Sequence, residues 1–440
     1  MTKTVQAALT EGFTDPVRDV LWGHIYLSSE LAALTASAPF MRLHRILQLG
    51  PVFRAYPGAT HTRASHSIGV YHLGRRLLQN LTERGAAGWL SFEGVRSFLC
   101  ACLLHDLGHF PYTHSLKELP LRSHESLTGE IILKEPVRSL VGRTGADPRL
   151  SAAIVDKELS GGEPAENAVN EGNADVEGGA SIKGGEELQF YRKLLSGCLD
   201  PDKLDYLNRD ARYCGVPYGI QDADFILSRL YPHPTRGADI DSRLIPNVEA
   251  ILFSKYLMYR TVYWHRQVRS ATAMVKKALL QSLEAGLVGR EELYNLDDQS
   301  LFALLQSRAN GKGKALAEAV REGRIYVLAA EIPFQEESQA GLRDIRSRSR
   351  YEEQLASELR SAGVPLCAED VIIDVPEPAS FETGLFVLDE GGYFADSSSA
   401  FKAEMVNAFV QSLYTVRVFV NPLFEQKVKK VQNLHRVLKF

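Results

Sequence analysis

A chain of 440 residues has room for two or three domains, and its 45% hydrophobic and 24% charged content is that of an ordinary globular protein. A net charge of −4 and a pI near 6.3 argue against a protein whose main task is coating nucleic acid, and no apolar run approaches the ~18 residues that span a bilayer. The stretch from Met1 to Asp15 lacks the apolar core of a signal peptide. The five cysteines show no zinc-ribbon spacing, so the expected compartment is the cytoplasm.

From Thr62 to Leu81, His66, Val70, Leu73, Leu77 and Leu81 share one helical face, and Gly85 follows as a stop. Val95, Phe98, Leu99, Cys102 and Leu103 then repeat with the period of a core-facing helix. Residues 160–187 are rich in Gly, Glu, Asn and Ala, with almost no large apolar side chain, and are expected to form a mobile acidic insertion. Asp200-Pro201 marks a helix start, and an unbroken helical pattern is expected from about Val248 to Leu287. Beyond Leu301, short β-branched or aromatic runs at 325–330, 371–375, 385–388 and 415–420 read as strands. The expected fold class is mainly α, with a helical catalytic domain over residues 1–235, a long-helix region over 236–300 that completes the site, and a smaller C-terminal α/β subdomain over 301–440.

The residues able to carry chemistry fall on a few of these segments. His105-Asp106 ends the apolar helix just before Gly108 and Pro111, where a side chain is held by the core yet open to solvent. An imidazole and a carboxylate side by side reach one divalent ion. Alone, that dipeptide is a weak signal, but His109, His114 and His124-Glu125 follow it closely. His66 points inward; a lone inward histidine is more often a satisfied core residue, and what changes the balance is Arg63 one turn earlier together with the ligand types downstream. After Pro201, Asp202, Lys203, Tyr206 and Asp210 share about a 100° arc of the helix, while Leu204, Leu207 and Ala211 face the other way. Asp205 and Arg209, four apart and off that arc, read as a surface ion pair. Lys255, Tyr259 and Tyr263 form a stripe that by pattern alone is more often half-buried packing than a site, and a single amphipathic helix explains the basic-aromatic mix from Lys255 to Arg269 as well as nucleic-acid binding does. The spacing of His105 and His109 is not that of a zincin, since no glutamate sits between them, and there is no P-loop, dinucleotide fingerprint or Gly-x-Ser-x-Gly.

Taken in order, six segments resemble the HD-domain phosphohydrolases. They are Gln48-Leu49-Gly50, the stretch from Tyr56 to Gly69, the His105-Asp106 block, His124-Glu125, the stretch from Asp202 to Asp210, and Tyr263-Trp264-His265. More narrowly they resemble the metal-dependent deoxynucleotide triphosphohydrolases, which cut a dNTP into deoxynucleoside and triphosphate. The resemblance runs from about Asp15 to Ser270 and implies a helical HD core. It implies that His66, His105, Asp106 and Asp202 hold a divalent metal (Mn, Mg, Fe, Co, Zn or Ni). It implies that His109, His114 and His124 line the α-phosphate, with His114 the favoured proton donor or nucleophile helper and Glu125 in support. Arg63, Lys203, Tyr206 and Lys255 would contact the phosphate chain; Gln48 and Asp210 would bond the sugar 3′-hydroxyl; Leu49 and Tyr263 would crowd its 2′ carbon. The implied partners are a dNTP and further copies of the chain, as a dimer or tetramer, with no membrane and no strong nucleic-acid signal.

Two departures from the family pattern matter. Lys117 stands where an acid usually orients the histidine matching His114, with Glu118 next to it. Ala36 and His44 stand where regulated members carry an Asp and an Arg that read an activating guanine nucleotide. The alternatives are another HD nucleotide phosphohydrolase, such as a monophosphatase, and a non-catalytic nucleotide or single-strand binding module.

Overall fold

The computed structural model describes residues 4–159, 184–397 and 400–431. Most of the expected acidic insertion lies outside the described residues. Its last four residues are the exception, because they open the Gly184–Leu195 helix. Glu187 explains why: it is buried and accepts hydrogen bonds from the Ser91 amide and hydroxyl and from the Tyr191 hydroxyl.

The main core gathers around three helices, Arg63–Glu83, Phe92–Leu104 and Pro201–Cys214. The first is capped by the Thr62 hydroxyl, which accepts from the Ser65 amide. The second is buried on all sides from Gly94 to Leu104, not on one face only, as befits a helix at the centre of a large domain. The third starts as the sequence requires, with Asp200 accepting from the Lys203 amide and Pro201 in the first turn. Leu204, Leu207 and Ala211 are buried in the core beneath it.

The helix expected from Val248 to Leu287 is broken. Ile245–Met258 runs into a π-turn over Tyr259–Tyr263, Trp264 leaves the helix, and a new helix, Arg266–Glu284, starts at a His265 cap. No proline or glycine announces the break; the wider turn carries Tyr259, Tyr263 and Trp264 into the wall of a cavity.

The expected C-terminal α/β part is present. Strands Val327–Pro333, Thr415–Val420 and Val371–Asp374 form a three-stranded antiparallel sheet with Thr415–Val420 in the middle, covered by the helix Ile345–Ser361. The fourth run does not join it. Phe386–Val387 pairs with Gly237–Ile240 through Ile240↔Val387, in parallel, on a different sheet. Leu385, Val387, Phe394 and Phe401 are buried in the main core. The chain thus leaves the C-terminal sheet at Asp374 and returns to the main core.

Candidate active site

The helix Arg63–Glu83, the end of Phe92–Leu104 and the start of Pro201–Cys214 meet at one point. The ligand atoms of His66, His105 and Asp106 lie within 4.8 Å of one another. Asp202 Oδ1 stands 3.0 Å from His66 Nε2 and 3.9 Å from His105 Nε2. All four side chains implied by the resemblance therefore face one small volume.

The outer side of each imidazole fixes its tautomer. His66 Nδ1 lies 2.8 Å from Asp205 Oδ2, and His105 Nδ1 lies 2.9 Å from the Cys102 carbonyl. Both partners only accept, so each Nδ1 carries a hydrogen and each Nε2 is the nitrogen left to face the shared volume. His105 Nε2 is buried and has no hydrogen-bond partner among the described residues. Two oriented imidazoles and two carboxylates suit a divalent cation.

This geometry corrects the reading of Asp205 and Arg209 as a surface pair. Both are fully buried. Asp205 accepts from His66 Nδ1, from Trp22 Nε1 at 2.6 Å, and from Arg209 Nε and Nη2 at 2.8 and 2.9 Å; Arg209 Nη1 also reaches Asp19. Helical spacing shows that Asp205 is off the Asp202 face, but not that a neighbouring helix lies on its side. Asp205 is a positioning residue for His66.

The charges follow from this crowding. Burial disfavours an imidazolium at His66, yet hydrogen bonds to Asp202 and Asp205 push its pKa up to about 10. Burial also opposes a charge on Asp106, but His109, His105 and Arg63 outweigh it and hold the carboxyl well below the usual range. Arg63 Nη1 donates to Asp106 Oδ2 at 2.8 Å.

Beside the four donors stands a histidine wall. His109 Nε2 is 3.1 Å from His114 Nε2, and the rings of His109 and His124 lie 3.9 Å apart. The turn that builds it depends on Gly108, where an added Cβ would lie 2.6 Å from the Thr128 amide nitrogen. Burial and Arg63 hold the pKa of His109 well below the ordinary range, and burial and His114 do the same for His124. His114 is exposed and lines the cavity, and its cation is disfavoured by desolvation, His109, Arg63 and Lys117. Glu125 pairs with His124 Nδ1 at 3.1 Å. Glu118 does not stand in for an acid at Lys117, since its carboxylate is taken by Lys276 and Arg348.

Both groups open onto a cavity of about 430 Å³, a size that suits a nucleotide. Gln48, Leu49, Arg63, Tyr206, Asp210 and Tyr263 line it. Gln48 Oε1 is buried and unpartnered among the described residues. Asp210 accepts from the Tyr263 hydroxyl at 2.6 Å and stands 2.9 Å from His61 Nε2, so Tyr263 is locked in place. Lys203 and Lys255 sit behind this wall and not in it. Lys203 Nζ donates to Asp200 Oδ2 at 2.8 Å, and Lys255 Nζ to Glu382 Oε2 at 3.3 Å. The far side of the cavity comes from Pro376, Glu377, Pro378, Ala379 and Ser380. Neither these residues nor Glu382 was visible to sequence reasoning.

Residues 63–169 match the model of the HD domain, and residues 238–435 match that of the HD associated region. The chain thus carries an HD domain followed by an HD associated region. It is 32% identical over 270 residues to Uncharacterized protein YwfO of Bacillus subtilis, covering 61% of this chain and 54% of that protein. It is 23% identical to the deoxynucleoside triphosphate triphosphohydrolase SAMHD1 of Bos taurus, over 82% of this chain and 66% of that one. The chain spans about half the length of the first curated relatives it matches. In fold it is similar to the crystal structure of a phosphohydrolase from Bacteroides thetaiotaomicron, with a TM-score of 0.69 at 21% identity, covering 93% of this chain and 100% of that one.

Proposed function

We propose that the protein is a metal-dependent phosphohydrolase that cuts a deoxynucleoside triphosphate into deoxynucleoside and triphosphate. The observation that carries the reading is the placement of four donors, His66, His105, Asp106 and Asp202, beside the His109–His114–His124 wall in one nucleotide-sized cavity. A divalent ion held there supplies Lewis acidity toward a phosphoryl oxygen and acidifies water.

The chain's own residues supply the rest. Arg63 offers a permanent charge toward the reacting phosphate. His114, neutral in the free site, gains a proton as the phosphate anion binds beside it, and then donates it to the leaving 5′-oxygen. Glu125 steadies His124 in that wall. Gln48 Oε1 accepts from the sugar 3′-hydroxyl, and Tyr263, held by Asp210, packs against the 2′ carbon.

A monophosphatase is the second reading, favoured by the fact that Lys203 and Lys255 are already engaged by carboxylates. Anion-exchange analysis of products from four dNTPs, each with Mn, Mg, Fe and Co, separates the two. Triphosphate and deoxynucleoside are the expected products; orthophosphate or pyrophosphate without triphosphate overturns the proposal.

A further inference from the structure

The stretch between Val375 and Leu385 has no regular secondary structure. One end is tied down by Asp374, which accepts two hydrogen bonds from Arg269 at 2.6 and 2.7 Å, and the other by Leu385 and Val387 in the main core. Its first half lines the cavity from Pro376 to Ser380, and its second half turns Glu382 back toward the two lysines.

Lys255 is only 5% exposed, and its ammonium meets Glu382 Oε2 at 3.3 Å and the Phe381 ring at 5.5 Å from the centroid. Lys203 Nζ lies 3.7 Å from the same carboxylate oxygen, in addition to its bonds to Asp200 and Gly197. An anionic oxygen set against two largely buried ammonium groups is what a phosphate oxygen would also present. The two sides differ in freedom: the Glu382 side chain is 43% exposed, against 7% for Lys255 and 15% for Lys203. The carboxylate can withdraw into water, whereas the lysines have nowhere to go.

We propose that Glu382 is a built-in competitor for the phosphate chain, occupying the Lys203–Lys255 pair until a polyphosphate displaces it. The inference rests on the triphosphate reading above and deepens it. A carboxylate that must be displaced sets a threshold, so that a long phosphate chain, anchored also at Arg63, gains access where a single phosphate does not.

The test is calorimetric titration of the full chain, with equal Mn²⁺ in cell and syringe, by inorganic tripolyphosphate and by orthophosphate. Wild type is compared with Glu382→Gln, with Glu382→Ser as a second variant in case the first folds poorly, and with Glu390→Gln, which removes the same charge from an exposed position. Either change at Glu382 is expected to tighten tripolyphosphate on the order of tenfold, to bring orthophosphate closer to it, and to leave Glu390→Gln at the wild-type value. Wild-type binding of tripolyphosphate that is unchanged or weakened by both Glu382 changes overturns the competitor and leaves the triphosphate reading standing, with Glu382 as a plain neutraliser of Lys255. Absence of tripolyphosphate binding in every protein overturns both.

Discussion

Replacing Asp205 by Asn keeps the shape of the side chain and removes the charge that lies between His66 and Arg209. The two carboxylate oxygens accept from four N–H groups, on His66, Trp22 and twice on Arg209. An Asn offers one oxygen and turns an amide N–H₂ toward the remaining donors. Each buried group left unpaired costs about 1–3 kcal/mol, and breaking a buried ion pair from one side costs about 3–5 kcal/mol. Asp19, at 2.9 Å from Arg209 Nη1, recovers part of that, so a loss on the order of 3 kcal/mol in stability is expected. The second effect is on the metal. Without the carboxylate, His66 loses the partner that holds its Nδ1 hydrogen outward, and affinity should fall about 10- to 100-fold. Equilibrium dialysis against buffered Mn²⁺, followed by metal analysis, reads this directly. Asp202→Ala should retain no stoichiometric metal in the same assay, while Asp205→Asn should load at higher free Mn²⁺ and regain activity as it does. Gly69→Ala approaches the same point without altering any charge, because its Cβ would collide with Asp205 Oδ1 and lie 2.5 Å from Arg209 Nη2. Wild-type metal affinity in Asp205→Asn would refute the argument that this carboxylate orients His66.

Three further outcomes follow from the site. Tyr263→Ala should lower the ratio of dNTP to NTP catalytic efficiency by about 10- to 100-fold, since overpacking by one heavy atom costs roughly 1–3 kcal/mol; an unchanged ratio rules out the steric account. Burial raises the Asp298 pKa to about 6 from 3.8, while its carboxylate accepts from the Leu47 amide at 2.9 Å. The folded state therefore holds this proton more tightly than the unfolded chain, and stability falls as pH rises from about 4 through 6. Asp298→Asn, which can still accept that bond, should be more stable than wild type at pH 8 by roughly 2–3 kcal/mol and similar to it at pH 4; parallel urea-unfolding curves at both pH values would contradict this. GTP or dGTP should not switch on hydrolysis of a pyrimidine dNTP, because Ala36 and His44 offer neither a carboxylate for the guanine edge nor a permanent charge. Steady-state rates with a sizing measurement check it, and activity that appears only with guanine nucleotide, together with a larger oligomer, would contradict it.

What the sequence made legible was local. The inward face of Arg63–Glu83, the existence of the helix Phe92–Leu104 and the cap at Asp200-Pro201 follow from rules that act within a few residues, and the structure bears them out, although Phe92–Leu104 is buried all round and not on one face. Asp202 and Asp205 show the limit. Spacing places them on different faces, but which face meets another helix is decided by packing between segments more than 130 residues apart. The π-turn at Tyr259–Tyr263 was invisible because no proline or glycine marks it. Glu382 lies on an irregular segment 127 residues from Lys255, with nothing in its surroundings to set it apart from other acids.

The parallel pairing of Ile240 with Val387 also sets an order of events during synthesis. The segments bearing His66, His105, Asp106 and Asp202 have all emerged once residue 214 is made. The wall formed by Pro376–Ser380 and the strand that fastens it come much later. At about 5–20 residues per second, a nascent chain spends on the order of ten seconds with its four donors made and that side of the cavity open. For that interval the donors are accessible from a direction that the finished molecule covers. The same late stretch brings Leu385, Val387, Phe394 and Phe401 into the main core, so the last wall of the cavity and the last part of the core arrive together.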